Sequence, residues 1–197
     1  MTTASSRQSF LVALNCDGGH GRMLAASLAL VLLPLAGGAW LAGILRYERA
    51  AIAGGQWWRL LTAHFVHLDA RHALLNAAGL ALLWALFARV YTAWRWLAAL
   101  VLISAAVDAG LWFLSSGLRW YVGASALLHG VFACGAIAMV RTGDRIGWIA
   151  LVVFAAKLGW EQWQGALPFT PGPVVTASHL YGAAGGVLAG LLLRPRR

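Results

Sequence analysis

Charge is what this sequence has least of. Only 11% of its 197 residues are Asp, Glu, Lys or Arg, while 61% are hydrophobic and the mean hydropathy is +0.74. Soluble domains carry about a quarter charged residues, so a water-exposed surface cannot be built from this inventory, which excludes an ordinary soluble protein. Acidic residues are scarcer still, 6 against 15 basic ones, for a formal charge of +9. The basic residues stand singly between apolar runs rather than on one face, which reads as a membrane topology signal and not as a nucleic-acid footprint. Cysteine is nearly missing. Cys16 precedes the first apolar run and Cys134 lies inside a later one, which argues against a disulfide framework and leaves Cys134 as a small hydrophobe. There is no HExxH, no paired-Cys motif and no Gly-rich phosphate loop after a strand, so no metal and no cofactor is expected. No internal repeat is evident.

What is present is a succession of apolar runs. The first, Met23 to Leu45, is too long for a signal-peptide core and lacks a cleavage site after it, so it is expected to be retained as a span. The others fall at His72 to Phe87, Trp94 to Leu114, Tyr121 to Val140, Ile146 to Trp163 and Val174 to Leu193. The expectation is an all-α membrane protein: a polar tail over 1–22 and one six-helix membrane domain over 23–197. Arg46 to Arg71, with Trp57, Trp58 and four arginines, reads as a long interfacial loop. Arg7, Arg22, Arg89, Arg95, Arg141, Arg145, Arg194, Arg196 and Arg197 fall on one side of such a bundle, against Arg46, Arg49, Arg59, Arg71 and Arg119 on the other. The positive-inside rule then puts both termini in the cytoplasm of a bacterial inner membrane, with the opposite face toward the periplasm.

In that topology His72 and Asn76 begin the second helix, Ser125 lies about one turn into the fourth, and His179 about one turn into the sixth. All sit within roughly 10 Å of the outer boundary at about 1.5 Å per residue. Polar side chains inside a membrane are costly and usually face a protein interior or a wet cavity. Four at one depth on three helices point to a single site. A serine hydroxyl becomes a nucleophile when a base within hydrogen-bond reach takes its proton, and histidine is the usual base. His179 is the candidate base for Ser125. Gly182, Gly186 and Gly190, four apart, form a face that lets this helix approach another closely; packed near Gly123 and Gly130, it would bring the His179 ring to Ser125. His72 and Asn76, one turn apart, could donate to a developing oxyanion, with the Ser125 backbone N–H.

Blander readings stand beside this one. A serine in a membrane helix is most often a packing residue bonded to its own backbone, and His72 with Asn76 could simply bond neighbouring loops. His129, four residues after Ser125 on the same face, is a rival base, a pocket wall or a core histidine; as a base it would lie one turn deeper and poorly connected to water.

At these residues the sequence resembles the rhomboid family of intramembrane serine proteases. Gly123-Ala124-Ser125 matches its Gly-x-Ser motif, His179, Gly182 and Gly186 its His-x-x-Gly-x-x-x-Gly motif, Trp58-Arg59 its first-loop pair, and His67, His72 and Asn76 its pattern entering the second helix. The resemblance covers about 57–193. It implies a six-helix core with a Ser125–His179 dyad lacking a third acidic member, an oxyanion polarised by His72 and Asn76, and a lipid bilayer with membrane-protein substrates as partners. Ala126 stands where many members have glycine, narrowing the space beside Ser125. With Leu128-His129-Gly130 and the 157–162 segment, this looks like the rhombosortase branch, which is associated with substrates ending in a Gly-Gly, transmembrane helix and basic-tail sorting signal. Two rival classes are an inactive rhomboid-like protein that binds membrane helices, which has no need of both Ser125 and His179, and a small transporter, which would want polar groups across the full thickness.

Other polar marks are read structurally. Lys157 and Glu161, four apart in the fifth helix, suit an ion pair that lowers insertion cost, the alternative being a gate or substrate contact. Asp108 is expected to be hydrogen-bonded. Trp57, Trp58, Trp160 and Trp163 read as outer-interface anchors, and Trp94 and Trp96 as inner ones. Pro168, Pro171, Gly172 and Pro173, with Thr170 and Thr176 nearby, form a cap above His179.

Overall fold

The structure, a computed structural model, describes residues 10–165 and 174–196. Its main helices are α1 Gly18–Leu32, α2 Gly38–Leu45, α3 Arg49–Ala53, α4 Trp58–Thr62, α5 Ala70–Phe87, α6 Ala93–Ala109, α7 Ser125–Arg141, α8 Ile146–Gln164 and α9 Thr176–Leu192. A 3-10 turn at Leu33–Gly37, carrying Pro34 near its start, joins α1 to α2, and a π-helical turn at Gly110–Leu114 prolongs α6. Helix occupies all or most of each of the six expected apolar runs. By length and hydropathy Gly18–Leu45, Ala70–Phe87 and Ala93–Leu114 qualify as membrane spans, and Ser125–Arg141 is a shorter apolar helix. The cap residues Pro168, Thr170, Pro171, Gly172 and Pro173 lie outside the described residues.

Three boundaries differ from expectation for local reasons. The first helix starts at Gly18, inside the expected tail. Asp17 is extended at its N-cap and its carboxylate pairs with Arg89 rather than capping the helix, and that guanidinium holds the Asp17 carboxyl below the usual carboxylate range. Asn15, with a left-handed φ of 58°, donates to the Ala85 carbonyl at 2.8 Å, and the Trp84 indole donates back to the Asn15 carbonyl at 2.8 Å, fixing the chain to the end of α5. Second, α5 opens at Ala70 because the Asp69 side chain accepts from the His72 N–H at 2.7 Å, a side-chain N-cap. Third, Tyr121 is in no helix. Two short antiparallel strands, β1 Tyr47–Glu48 and β2 Trp120–Tyr121, pair Tyr47 with Tyr121, and Gly123 then turns the chain at φ +118°. Ser125 is therefore the first residue of α7, not one turn into it.

The interfacial loop is tied down by arginines donating to carbonyls. Arg59 reaches the carbonyls of Gly43 and Arg46 at 2.9 Å each, with its Nε on Gln56 at 2.7 Å. Arg49 reaches those of Leu111 at 2.6 Å, Trp112 at 3.0 Å, Ser115 at 3.0 Å and Leu118 at 3.1 Å, satisfying the open end of the π turn.

Helix α9 lies against both α7 and α6. A Cβ on Gly182 would sit 1.9 Å from the Ala126 carbonyl oxygen, one on Gly186 would sit 2.1 Å from that of Gly130, and one on Gly185 would sit 2.9 Å from the Ile103 Cα of α6. Only hydrogen fits there, so the backbones touch.

Candidate active site

The glycine seam sets where two side chains meet. With α9 pressed on the start of α7, the His179 Nε2 lies 2.9 Å from the Ser125 Oγ. His179 is buried, and the Glu161 Oε2 of α8 lies 2.9 Å from its Nδ1. A carboxylate can only accept, so Nδ1 carries the ring proton and Nε2 is free to accept from the serine hydroxyl. A neutral imidazole in that tautomer is what general-base activation of a serine requires.

The acid is a departure. The resemblance implied a dyad, whereas Glu161 meets His179 directly and is itself 3% exposed. Lys157 forms the expected i,i+4 pair with it at 2.7 Å, and its ammonium also contacts the His129 Nε2. His129 is not at the Ser125 hydroxyl. Its Nδ1 donates to the Ser125 carbonyl at 2.7 Å, and its ring stacks on His179 with centroids 3.9 Å apart and planes 9° apart.

A cavity of about 700 Å³ opens over Ser125 and His179, lined also by His72, Asn76, His129 and Glu161. His72 lies against Gly123, where a Cβ would come 2.8 Å from its ring; only glycine leaves room for it. Asn76 donates to the His72 carbonyl at 3.1 Å. The first turn of α7, whose start has no side-chain cap, faces the same space, and N–H groups at a helix start favour negative charge. His67 is buried edge-on to His72, centroids 5.1 Å apart, and burial with the neighbouring His72 pushes it down to about 4.

Other expected residues fall elsewhere. Ala126, expected to narrow the space beside Ser125, is fully buried, its carbonyl filling the gap over Gly182. Gly182 and Gly186 act in the seam and Arg59 in the loop, while Trp58 is half exposed. Asp108 faces the buried His64 at 3.5 Å. Trp57, Trp94, Trp160 and Trp163 are exposed, whereas Trp96 is half-buried, its indole donating to the Ala88 carbonyl at 3.2 Å and packing on Tyr91. Sequence reasoning missed Arg49, whose only signal was its place in the loop.

The expectation of no metal rested on short ligand spacings, and three distant residues do converge. Ligand atoms of His129, Glu161 and His179 all lie within 4.8 Å of one another. The Lys157 ammonium already supplies a cation to this group, and a divalent ion would have to displace it against like charge.

Fold and site thus define a helical membrane bundle built around a serine, half-buried at a cavity, and a buried histidine. A family model described as the Rhomboid domain matches residues 54–196, so the chain belongs to the rhomboid family, whose members are generally intramembrane serine proteases acting on membrane-protein substrates. No curated protein sequence matches it significantly.

Proposed function

We propose that this protein is an intramembrane serine endopeptidase that cleaves single-pass membrane proteins from an outward-opening site in a six-span bundle, with both termini in the cytoplasm. The observation that carries this reading is the 2.9 Å contact between the Ser125 Oγ and the His179 Nε2 beside an open cavity. The Ser125 Oγ bonds to the scissile carbonyl carbon as its proton passes to the His179 Nε2. The carbonyl electron pair moves onto oxygen, where His72, Asn76 and the start of α7 stabilise it. Collapse expels the amine with the proton from His179, and water then resolves the acyl-enzyme by the same route. Lipid-side entry between α5 and α8 is supported by the cavity lining, which takes Leu75, Leu82 and Val153 from these two helices, all exposed.

The substrate class follows the rhombosortase-like residues: proteins ending in Gly-Gly, a transmembrane helix and a basic tail. Glycines unwind a helix readily, which presents the bond to Ser125. Co-expression with such a reporter and mass spectrometry of its new C-terminus tests both levels. Wild type is expected to cut at or beside the glycines and Ser125→Ala to leave the reporter intact. Cleavage by Ser125→Ala removes the protease assignment. A cut in another single-pass protein but not in this reporter removes the sorting-signal substrate, and no cut in either leaves a helix-binding protein.

A further inference from the structure

The polar groups around Ser125 close into a ring of hydrogen bonds whose every direction is fixed by chemistry. The Ser125 carbonyl can only accept, so the His129 Nδ1, 2.7 Å away, donates to it. That leaves the His129 Nε2 as an acceptor for Lys157, an ammonium with nothing but protons to give. Lys157 donates onward to Glu161 at 2.7 Å, Glu161 accepts from the His179 Nδ1 at 2.9 Å, and the His179 Nε2 accepts from the Ser125 hydroxyl at 2.9 Å. The ring begins and ends on one serine and draws on α7, α8 and α9. Lys157 is the only lysine in the chain, and Glu161 one of only six acidic residues.

We propose that Glu161 completes a serine–histidine–glutamate triad, as a positioning residue that fixes the ring and proton of His179, with Lys157 and His129 as the clamp that holds it. This rests on the reading of Ser125 as nucleophile and His179 as base. A buried carboxylate whose sole task was to neutralise Lys157 would have no reason to spend an oxygen on His179. Here Oε1 serves Lys157 and Oε2 serves His179. While the Ser125 proton moves to Nε2 and Oγ bonds to carbon, the Nδ1 proton stays in place and the carboxylate faces the new imidazolium. His129, stacked flat on His179, blocks the ring from tilting. The Lys157 side chain is 30% exposed, and an ion pair open to solvent at one end is a weak source of stability in itself, which fits a role in orientation.

The test uses the full chain in detergent micelles, following fluorophosphonate labelling of Ser125 and cleavage of the Gly-Gly reporter. Glu161→Gln keeps the shape but offers Nδ1 an amide that can present the wrong group, and is expected to lower kcat about 10²- to 10⁴-fold, with KM within about 3-fold. Glu161→Asp should restore part of that kcat, and labelling should slow in parallel. Because the single change strands the Lys157 charge, the double variant Lys157→Met with Glu161→Met removes both charges; it should fold and be as inactive as Glu161→Gln. A folded Glu161→Gln or double variant that labels and cleaves at the wild-type rate overturns the triad and leaves a dyad. A loss confined to KM makes Glu161 a substrate contact and also overturns it. If both variants fail to fold while Glu161→Asp keeps full kcat, Glu161 is a structural anchor and the proposal falls. The underlying reading fails separately, when wild type is neither labelled nor active or when Ser125→Ala is labelled like wild type.

Discussion

The two sides of α7 are built in opposite ways. Toward α9 the helices meet backbone to backbone through Gly182, Gly186 and Gly130, with Ala126 and Cys134 wholly buried. Toward the gap between α5 and α8 lies a cavity of about 700 Å³ whose rim includes Leu75, Leu82 and Val153, all exposed. Ser125 and His179 are positioned by the first side and open onto the second. The reaction proposed for this site tolerates little misplacement of its groups and would take a substrate as large as a helix, so it needs one face that cannot move and another that is not filled.

The sharpest way to break this contrast is to separate the closed face. Gly186→Leu puts a Cβ where the Gly130 carbonyl oxygen stands 2.1 Å away, and neither backbone has a flexible tip to yield. Overpacking of this kind typically costs about 1–3 kcal/mol and more where backbone must shift, so a cost of about 3 kcal/mol or more is expected in detergent unfolding. Labelling of Ser125 should be lost with it, since α9 carries His179. An unfolding midpoint equal to wild type would mean that the seam is not what aligns the pair.

How much of this could be read in advance varied with the distance over which each feature is determined. The helices follow from apolar runs, a property of adjacent residues, and the Gly182, Gly186, Gly190 face follows from spacing within one helix. The start of α7 does not: it depends on Tyr121 pairing with Tyr47 in the first loop and on the left-handed Gly123. Ser125 consequently sits at the first residue of a helix, where the hydropathy pattern had placed it about one turn in. Likewise Lys157 and Glu161 were legible as an i,i+4 pair, but that Glu161 turns to His179 depends on how α8 and α9 pack. Residue type alone read Trp96 as an interface residue, and its bond to the Ala88 carbonyl is visible only in the fold.

A smaller effect should appear at the entrance to α5, on the open side. His67 is buried with neither ring nitrogen bonded, and its pKa lies at about 4, below the ordinary 6.5, through burial and the adjacent His72. The unfolded chain therefore takes up a proton that the folded one refuses. The sign follows: stability is complete above about pH 6.5 and declines as pH falls toward about 4. The loss is of order 2 kcal/mol, at about 1.4 kcal/mol per unit with allowance for partial solvation. His67→Phe should flatten this part of the unfolding-versus-pH curve. An unchanged slope would assign the acid response to other groups.

The smallest expected effect is the most direct control for the largest. Gly79, in α5 on the cavity wall, has only the tip of Leu128 near a would-be Cβ, at 3.3 Å. A side-chain methyl can move by the few tenths of an ångström required, whereas the Gly130 carbonyl cannot. Alanine also favours helix over glycine by up to about 1 kcal/mol. Gly79→Ala should thus leave stability unchanged or raise it by less than about 1 kcal/mol, while the added methyl narrows the cavity and raises KM with kcat unaltered. The same class of change, a larger side chain in place of glycine in a helix, would then destroy the molecule on one side of α7 and merely tune it on the other. A Gly79→Ala variant as unstable as Gly186→Leu would show the open side to be packed after all, and the division of labour between the two faces would go with it.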